Sequence, residues 1–188
     1  MVADGLEPRD ILWQPPTALP ESINTPAEDY EPRVSYTGDE LFFVRGKAGS
    51  NADIYRCVRD GEVWSEPEAL SAINTPVDEL GPTLSRDGQA LYFYSDREGG
   101  VGGYDLWVAH RGSSGWQTPI NLGPRINTTF NEYGPALTPD GAWLYFSSNR
   151  PRANEAAPEP QAWPATLRED RYVGDYDIYL AARDSRDQ

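Results

Sequence analysis

One sequence pattern occurs three times in this chain. The tripeptide Ile-Asn-Thr stands at 23–25, 73–75 and 126–128, at offsets of 50 and 53 positions. In each copy a Trp, a Pro and a Leu precede the triplet, and a Pro, a Gly, a Leu, a Phe and an Asp follow it. A period of this length is typical of solenoids, propellers and arrays of small units. The chain is therefore expected to fold as similar units packed side by side.

Aromatic residues fall on the repeated positions and supply material for a hydrophobic core. The chain has six Trp, eleven Tyr and five Phe among 188 residues, which disfavours disorder. Its formal net charge is −14, whereas binding to DNA, RNA or an anionic membrane surface relies on clustered Lys and Arg. We expect no nucleic acid and no membrane insertion; a basic protein or a cationic ligand is a more suitable partner.

The sequence leaves the compartment open. No apolar run approaches the length of a membrane span, and the first residues lack the basic and apolar regions of a signal peptide. The protein is therefore expected to stay where it is made, unless a leader is missing from this chain. Cys57 is the one cysteine, which excludes an intrachain disulfide and a thiolate metal cluster. It aligns with Ala109 and Ala181, so we interpret it as a small packing residue.

Each copy predicts short antiparallel strands. In the second copy, Asp87-Gly88 separates the apolar runs 82–85 and 90–94, which is a hairpin signal. The first copy predicts strands at 33–36, 40–45 and 53–59, and the third repeats the turn at Asp140-Gly141. No window shows a sustained helical period. Four short strands in about 50 residues are typical of a propeller blade.

The predicted fold class is thus all-β, a β-propeller with three four-stranded blades per chain. After a polar lead-in at 1–12, a single propeller unit covers 13–188. The expected boundaries are blade 1 at about 26–70, blade 2 at about 76–122, and blade 3 at about 129–188, completed by strand 13–19.

The two ends of the chain predict how the third blade is completed. Five residues follow Arg183, where the next copy would place its outer strand, and the missing strand instead stands at the front. Its repeated residues are Trp13, Pro16 and Leu19. Propellers carry four to eight blades, so three blades alone do not close. We expect a head-to-tail homodimer, a six-bladed ring in which each chain lends this assembly strand to the other. The alternative is half of a longer propeller chain.

Two stretches carry a family resemblance. Residues 82–97 read P-x-L-S-x-D-G-x-x-L-Y-F-x-S-D-R, and 135–150 repeat most of this pattern. They resemble the WD-like β-propeller repeat of the TolB type, while the first copy departs from it at Thr37, Val44, Arg45 and Lys47. The resemblance implies a propeller that is mostly a binding scaffold; in TolB one propeller face receives a protein partner. It also implies a family that is often periplasmic or envelope-associated. Similar blades occur in some peptidases and pectate-degrading lyases, so fold alone leaves enzymes open.

Residues shared by all copies are best explained as residues that each blade needs in order to fold. The Trp13, Trp64 and Trp116 set is expected to pack between blades rather than to stack on sugars. Arg97 with Asp105, Arg150 with Asp177 and Lys47 with Asp53 are expected to form one ion pair per blade. The acids at 29, 79 and 132 could form a carboxylate ring, but Ca²⁺ needs six to eight oxygens around one point, so no metal site is predicted.

No catalytic or cofactor-binding residues are predicted. The glycine run at 99–103 lacks the following helix and Lys of a phosphate loop, so it is interpreted as a flexible loop. His110, the one histidine, has no partner for a zinc site and is expected to be a strand residue that is either satisfied or facing solvent. Neither G-x-S-x-G nor H-E-x-x-H occurs. We therefore expect a protein that is not an enzyme and uses no cofactor.

The insertion at 151–176 is the feature that the repeat does not explain. Arg150 and Asp177 are 27 positions apart, against eight between Arg97 and Asp105. Long loops in compact domains are usually functional or disordered. The hypothesis is that Trp163, Leu167 and Tyr172 bind an unknown protein or peptide partner; a solvated insertion without a role is the alternative.

Taken together, the sequence predicts a non-catalytic scaffold that self-assembles and binds a protein or peptide. The alternative from another class is a carbohydrate-binding or carbohydrate-cleaving propeller, lectin-like or lyase-like, that uses aromatics and carboxylates at the channel mouth.

Overall fold

A computed structural model of the chain describes residues 15–151 and 176–183. These residues form strands and loops and contain no helix. In chain order the strands are β1 Asp29–Val34, β2 Glu40–Arg45, β3 Asp53–Asp60, β4 Val63–Trp64, β5 Glu68–Ala69, β6 Glu79–Leu84, β7 Ala90–Ser95, β8 Asp105–Gly112, β9 Gly115–Trp116, β10 Ile120–Asn121, β11 Glu132–Leu137, β12 Trp143–Ser148 and β13 Asp177–Ala182.

The strands form three antiparallel sheets, one for each copy of the repeat. The first has the order β1-β2-β3 with an outer strand in two pieces, β4 and β5, which both pair with β3. The second repeats this arrangement with β6-β7-β8 and the pieces β9 and β10. In the third, the described residues supply β11-β12-β13. The sheets confirm the all-β propeller architecture, and we refer to them as blades 1, 2 and 3.

Inner strands begin earlier than the sequence pattern indicated. β1 starts at Asp29, whereas the alternation predicted a start at Arg33. The cause is a bulge: the pairing with β2 shifts register between Tyr30 and Arg33, and Glu31 lies in the left-handed region at φ 52°. A bulge hides the two-residue period of a strand from a sequence pattern. Blades 2 and 3 have the same bulge, with glycine at the left-handed position.

Apolar side chains from adjacent blades pack together. Between blades 1 and 2, Phe42 and Ile54 meet Leu91, Phe93 and Trp107, and all five are buried. Between blades 2 and 3, an equivalent cluster includes Leu80, Tyr94, Leu106, Leu144 and Phe146. Successive side chains of a strand point to opposite faces, so each blade has a leading face toward the preceding blade and a trailing face toward the next one.

Two packing predictions concern single side chains. Cys57 is fully buried and free, as expected for a residue that takes the place of Ala109. Trp116 contacts Phe42 of blade 1 edge to face, with ring centroids 6.2 Å apart, so it packs between blades as predicted. Trp13 lies outside the described residues. Among the residues that the structure describes, no helix is long and apolar enough to cross a membrane.

Candidate functional site

The Ile-Asn-Thr triplet connects one blade to the next. Its Thr binds the acid four residues later, at the start of the following inner strand. Thr75 donates from its backbone N to Glu79 at 2.7 Å and from Oγ1 at 2.6 Å, and Thr128 does the same with Glu132. The contact between the Thr and the acid therefore lies within one blade and fixes the start of its inner strand.

An arginine completes the site around each of these acids. Arg97 Nη2 lies 3.0 Å from Glu79 Oε1, and Arg150 Nη2 lies 3.0 Å from Glu132 Oε1. The predicted pairings of Arg97 with Asp105 and Arg150 with Asp177 were therefore assigned to the wrong acids. Burial raises the pKa of Glu79, and burial lowers the pKa of Arg97 despite the opposing attraction between them. Such a pair is structural, because its charges face each other rather than a ligand.

Blade 1 reaches the same arrangement with different residues. Arg45 stands at the position of Ser95, two residues earlier than Arg97, and it pairs with the shorter Asp29 at 2.7 Å. Its Nη2 donates to the carbonyl of Ile23 at 2.8 Å, as Arg97 donates to that of Ile73. The sequence predicted Lys47 with Asp53 as the ion pair of this blade, whereas the structure pairs Arg45 with Asp29. The acids at 29, 79 and 132 are therefore each engaged in their own blade, and the described residues contain no cluster of potential metal ligands.

The Asn of the triplet instead binds the third strand of the preceding blade. Asn74 accepts from the backbone N of Ile54 at 3.0 Å and donates to its carbonyl at 2.9 Å. Asn127 makes the same two bonds with Leu106, both at 2.9 Å. Asn24 precedes the first blade and instead donates to the carbonyl of Leu19 at 3.1 Å. Among the described residues no blade precedes the first triplet, so the Asn24 amide lacks the backbone partner that its equivalents have there.

At the other end of the array, the trailing face of blade 3 is exposed to solvent. Ile178 is 80% exposed, whereas the equivalent residues Ile54 and Leu106 are fully buried. Leu180, Trp143 and Tyr145 lie on the same face, at 55%, 41% and 40% exposure. Four large apolar side chains on one unpartnered sheet face exceed the scatter of single exposed hydrophobics on a monomer.

The leading face of blade 1 is only partly open. Leu41, Phe43 and Cys57 are buried and cluster with Ile23, as Ile73 clusters with the leading face of blade 2. Val34 remains 56% exposed, although its equivalents in blades 2 and 3 pack into the junctions that precede them. The rim of this face, rather than its centre, is available for contact.

The predicted assembly strand precedes blade 1 in the chain. Pro16 and Leu19 are exposed, and residues 15–20 form no strand in the single chain. Trp13 and the predicted partner-binding residues Trp163, Leu167 and Tyr172 lie outside the described residues. The pairing of the assembly strand and the role of the insertion both stay predictions.

The described end of the insertion contacts an aromatic cluster. The Tyr176 ring lies 5.5 Å from that of Tyr133, which lies 5.1 Å from Tyr94 and 5.3 Å from Tyr104. Burial raises the pKa of Tyr94 and Tyr133 far above the ordinary value, so these phenols stay neutral. The insertion therefore returns to the sheet next to a packed junction between blades 2 and 3.

Two minor predictions can also be compared with the structure. The glycine run is not a free loop: Gly103 donates to the carbonyl of Phe130 at 3.0 Å, and a Cβ at Gly102 would collide with the backbone of 128–130. Close backbone approach accounts for these glycines. His110 is exposed, as expected.

Sequence reasoning missed Asn24 and Ile178 as residues of a possible interface. The repeat contained the signal, because both positions recur in each copy. Asn24 and Ile178 differ from the equivalent residues of the other copies because, in the described chain, no blade precedes Asn24 and no blade follows Ile178. Only a structure shows that the equivalent residues bind each other.

Comparison with solved structures supports the architecture. The structure is similar to TolB from Acinetobacter baumannii, with a TM-score of 0.52, 15% identity, and coverage of 81% of this chain and 29% of that one. It is also similar to a TolB protein from Agrobacterium tumefaciens, with a TM-score of 0.47, 21% identity, and coverage of 66% and 39%. The tricorn protease matches with a TM-score of 0.45 and 13% identity, over 82% of this chain and 13% of that one.

No family model and no curated protein matches the chain. The chain spans less than two fifths of the length of these solved structures. At this identity the likeness to the Acinetobacter protein shows the fold, a TolB-type β-propeller, and confirms the architecture that the repeat predicted.

Proposed function

We propose that this chain is a non-catalytic β-propeller scaffold that closes by pairing with a second copy of itself and presents its loops to a protein or peptide. In the closed assembly, the trailing face of blade 3 packs on the leading side of blade 1 of the other copy. Two such junctions make a six-bladed ring with two-fold symmetry. Six blades lie within the range that propellers use.

The observation that carries the proposal is the exposure of Ile178. The same position is fully buried in blades 1 and 2, where the next blade covers it. Burying an Ile or Leu side chain stabilises by roughly 1.5–3 kcal/mol. Four apolar side chains per junction and two junctions per ring can therefore offset an association cost of about 4–15 kcal/mol.

The second edge of β13 lies next to this face. Among the described residues, β12 is the strand that pairs with β13, and no described strand lies along the other edge. Such an edge is a template for a strand from another chain. A second copy can cover the apolar face and the edge together, because the repeat provides a strand and a leading face of the matching type.

The experiment is the native mass of the full chain, with Ile178→Arg as the test variant. We expect a dimer for the unaltered chain and a folded monomer for Ile178→Arg, because a charge at the centre of the face cannot be buried unpaired. Ile120→Arg is the matched control: Ile120 is 59% exposed, lies on the outer strand of blade 2, and has no place in the junction. A folded monomer for the unaltered chain at high concentration would refute the assembly.

The partner-binding part of the proposal concerns the insertion. Removing residues 153–173 should leave the oligomeric state and the unfolding transition unchanged, because every strand of the described sheets lies outside this range. The same deletion should abolish signals from a peptide array probed with the full chain. Equal signals from the full chain and the deletion variant would mean that the binding surface lies outside the insertion.

Carbohydrate binding or cleavage is the competing function. The repeated Trp that the structure describes between blades packs on Phe42, and the repeated acids are engaged by Arg and Thr. These residues are therefore committed to the fold. A scaffold predicts no signal in glycan-array binding and in polysaccharide turnover assays, and a positive result in either assay would favour the competing function.

A further inference from the structure

The outer strands of blades 1 and 2 pair with the third strands of the same blades in one pattern of backbone contacts. In the first, Leu70 N donates to the carbonyl of Ile54 at 3.1 Å, and Ala69 and Glu68 stand opposite Tyr55 and Arg56. In the second, the donor is Leu122 N and the acceptor is Leu106, again at 3.1 Å. Asn121 and Ile120 stand opposite Trp107 and Val108. The outer strand is thus added to the third strand in a constant register.

The repeat transfers this register to the ring-closing junction. Leu19 takes the position of Leu70 and Leu122, and Ile178 that of Ile54 and Leu106. This inference rests on the proposed function. We propose that the second copy's assembly strand adds to β13 in one register, with Thr17 opposite Leu180, Ala18 opposite Tyr179, and the Asn24 amide bound to the backbone of Ile178.

Asn24 is the specific element of this junction. A primary amide carries both a donor and an acceptor, so one Asn side chain satisfies the N–H and the C=O of a single residue, as Asn74 and Asn127 do. In the single chain, Asn24 donates to the nearby Leu19 carbonyl and lies in an exposed segment. In the ring it would take the place that its equivalents occupy inside the chain.

The rim of the closing junction differs in chemistry from that of the first internal junction. There, Arg111 and Arg56 both bind Glu40, with Arg111 at 3.0 Å and Arg56 at 2.5 Å. In the closing junction, the positions of Glu40 and Arg56 are occupied by Trp143 and Leu180, and Arg59 of the other copy takes the position of Arg111. A guanidinium can stack on a Trp ring, so an apolar rim with one cation replaces the ion pairs.

The register can be tested with cysteine pairs in a Cys57→Ala background, which Ala109 and Ala181 show to be compatible with the fold. Residues opposite each other in a ladder have Cα atoms about 4.5–5.5 Å apart, within the range of a disulfide. Thr17→Cys with Leu180→Cys should form a covalent dimer on oxidation. Thr17→Cys with Ala182→Cys, two residues out of register, is the matched control; it keeps Ile178 in place and should remain largely uncrosslinked.

The outcomes separate the register from the assembly. A native dimer in which the shifted pair crosslinks as well as the matched pair, or in which neither does, overturns the register and leaves the proposed function in place. A crosslink within one chain overturns the exchange between copies. A monomeric native mass overturns the proposed function itself.

The role of Asn24 has a separate test. Asn24→Ala should weaken dimerisation roughly a hundredfold, because each of the two junctions loses about tenfold, the effect of one or two hydrogen bonds; monomer unfolding should stay unchanged. Asn24→Asp, which lacks the donor, should weaken it similarly. Asn74→Ala is the control, because it breaks an internal junction and should destabilise the monomer itself. Dimerisation unaffected by both Asn24 variants would contradict this assignment.

Discussion

Leu106 and Ile178 occupy the same position in successive copies of the repeat, yet one is fully buried and the other is 80% exposed. Both stand on the trailing face of a third strand, next to an aromatic residue of that strand. What differs is that blade 3 follows Leu106, while the part of the chain that the structure describes has no blade after Ile178. The position is apolar in every copy because a neighbour is expected there, and the neighbour need not belong to the same chain.

Contacts within a blade behave differently from contacts between blades. The site formed by Thr, an acid and Arg is present in all three blades, although blade 1 builds it from Asp29 and Arg45 instead of Glu79 and Arg97. The guanidinium still reaches the carbonyl of the preceding Ile. A blade therefore completes its own polar contacts by compensating substitutions, whereas its apolar faces depend on what lies beside it.

The largest expected effect separates the two equivalent isoleucines. Ile54→Ala should lower the free energy of unfolding by about 2–5 kcal/mol, the range for a fully buried aliphatic truncation. Ile178→Ala should change it by less than about 0.5 kcal/mol when the chain is dilute and monomeric, as expected for an exposed site. Urea unfolding of both variants at low protein concentration measures the difference.

Protein concentration sharpens this comparison. Under conditions where the unaltered chain is a dimer, Ile178→Ala should lose stability as well, because the junction that buries it then contributes to folding. Losses of equal size for both variants in the dilute monomer would mean that Ile178 is covered by residues of its own chain.

Salt should have a smaller effect on the closing junction. Each copy carries a formal charge of −14, so two copies repel each other while their apolar faces attract. Raising ionic strength from about 0.05 M to about 0.5 M shortens the screening length and should tighten dimerisation several-fold. Sedimentation equilibrium across this range is the measurement; weaker dimerisation at high salt would indicate that ion pairs, rather than apolar contacts, hold the copies together.

The sequence predicted the features that depend on local pattern. Asp87-Gly88 and Asp140-Gly141 marked hairpins that the structure contains, and β2 spans the predicted residues 40–45. These features follow from turn chemistry and from runs of apolar residues, both of which are written in adjacent positions.

The sequence did not predict contacts that pass through a bulge or across a junction. Arg97 was assigned to Asp105 because both flank the same loop, but the strand pairing brings Glu79 opposite Ser95 and within reach of Arg97. Likewise, the triplet alone does not show that its Asn binds the preceding blade and its Thr the acid of the following inner strand. Such assignments depend on how strands lie side by side, which a single sequence does not contain.

The smallest expected effect concerns the hairpin turns, where blade 1 again departs from the pattern. In blade 3, Thr138 Oγ1 donates to Asp140 at 2.5 Å; in blade 1 the acid is Asp39, after the glycine, and both Ser35 and Thr37 donate to it. Hydrogen bonds from these hydroxyl groups lower the pKa of both acids. If contacts within a blade are restored by compensation, the two acids should titrate alike despite their different positions.

The expected pH dependence follows from the direction of these shifts. An acid whose pKa is lower in the folded state stabilises the fold above its ordinary pKa near 3.8, and the contribution disappears as the pH falls through the lowered value. NMR titration of the side-chain carboxyl groups should give midpoints below 3.8 for both Asp39 and Asp140. Ser35→Ala should raise the midpoint of Asp39 and leave that of Asp140 in place. An ordinary midpoint for Asp39 alone would show that blade 1, with its acid after the glycine, lacks the hydrogen bonds that lower the pKa in blade 3. Compensation would then extend to the ion pair of Asp29 with Arg45 but not to the exposed turn.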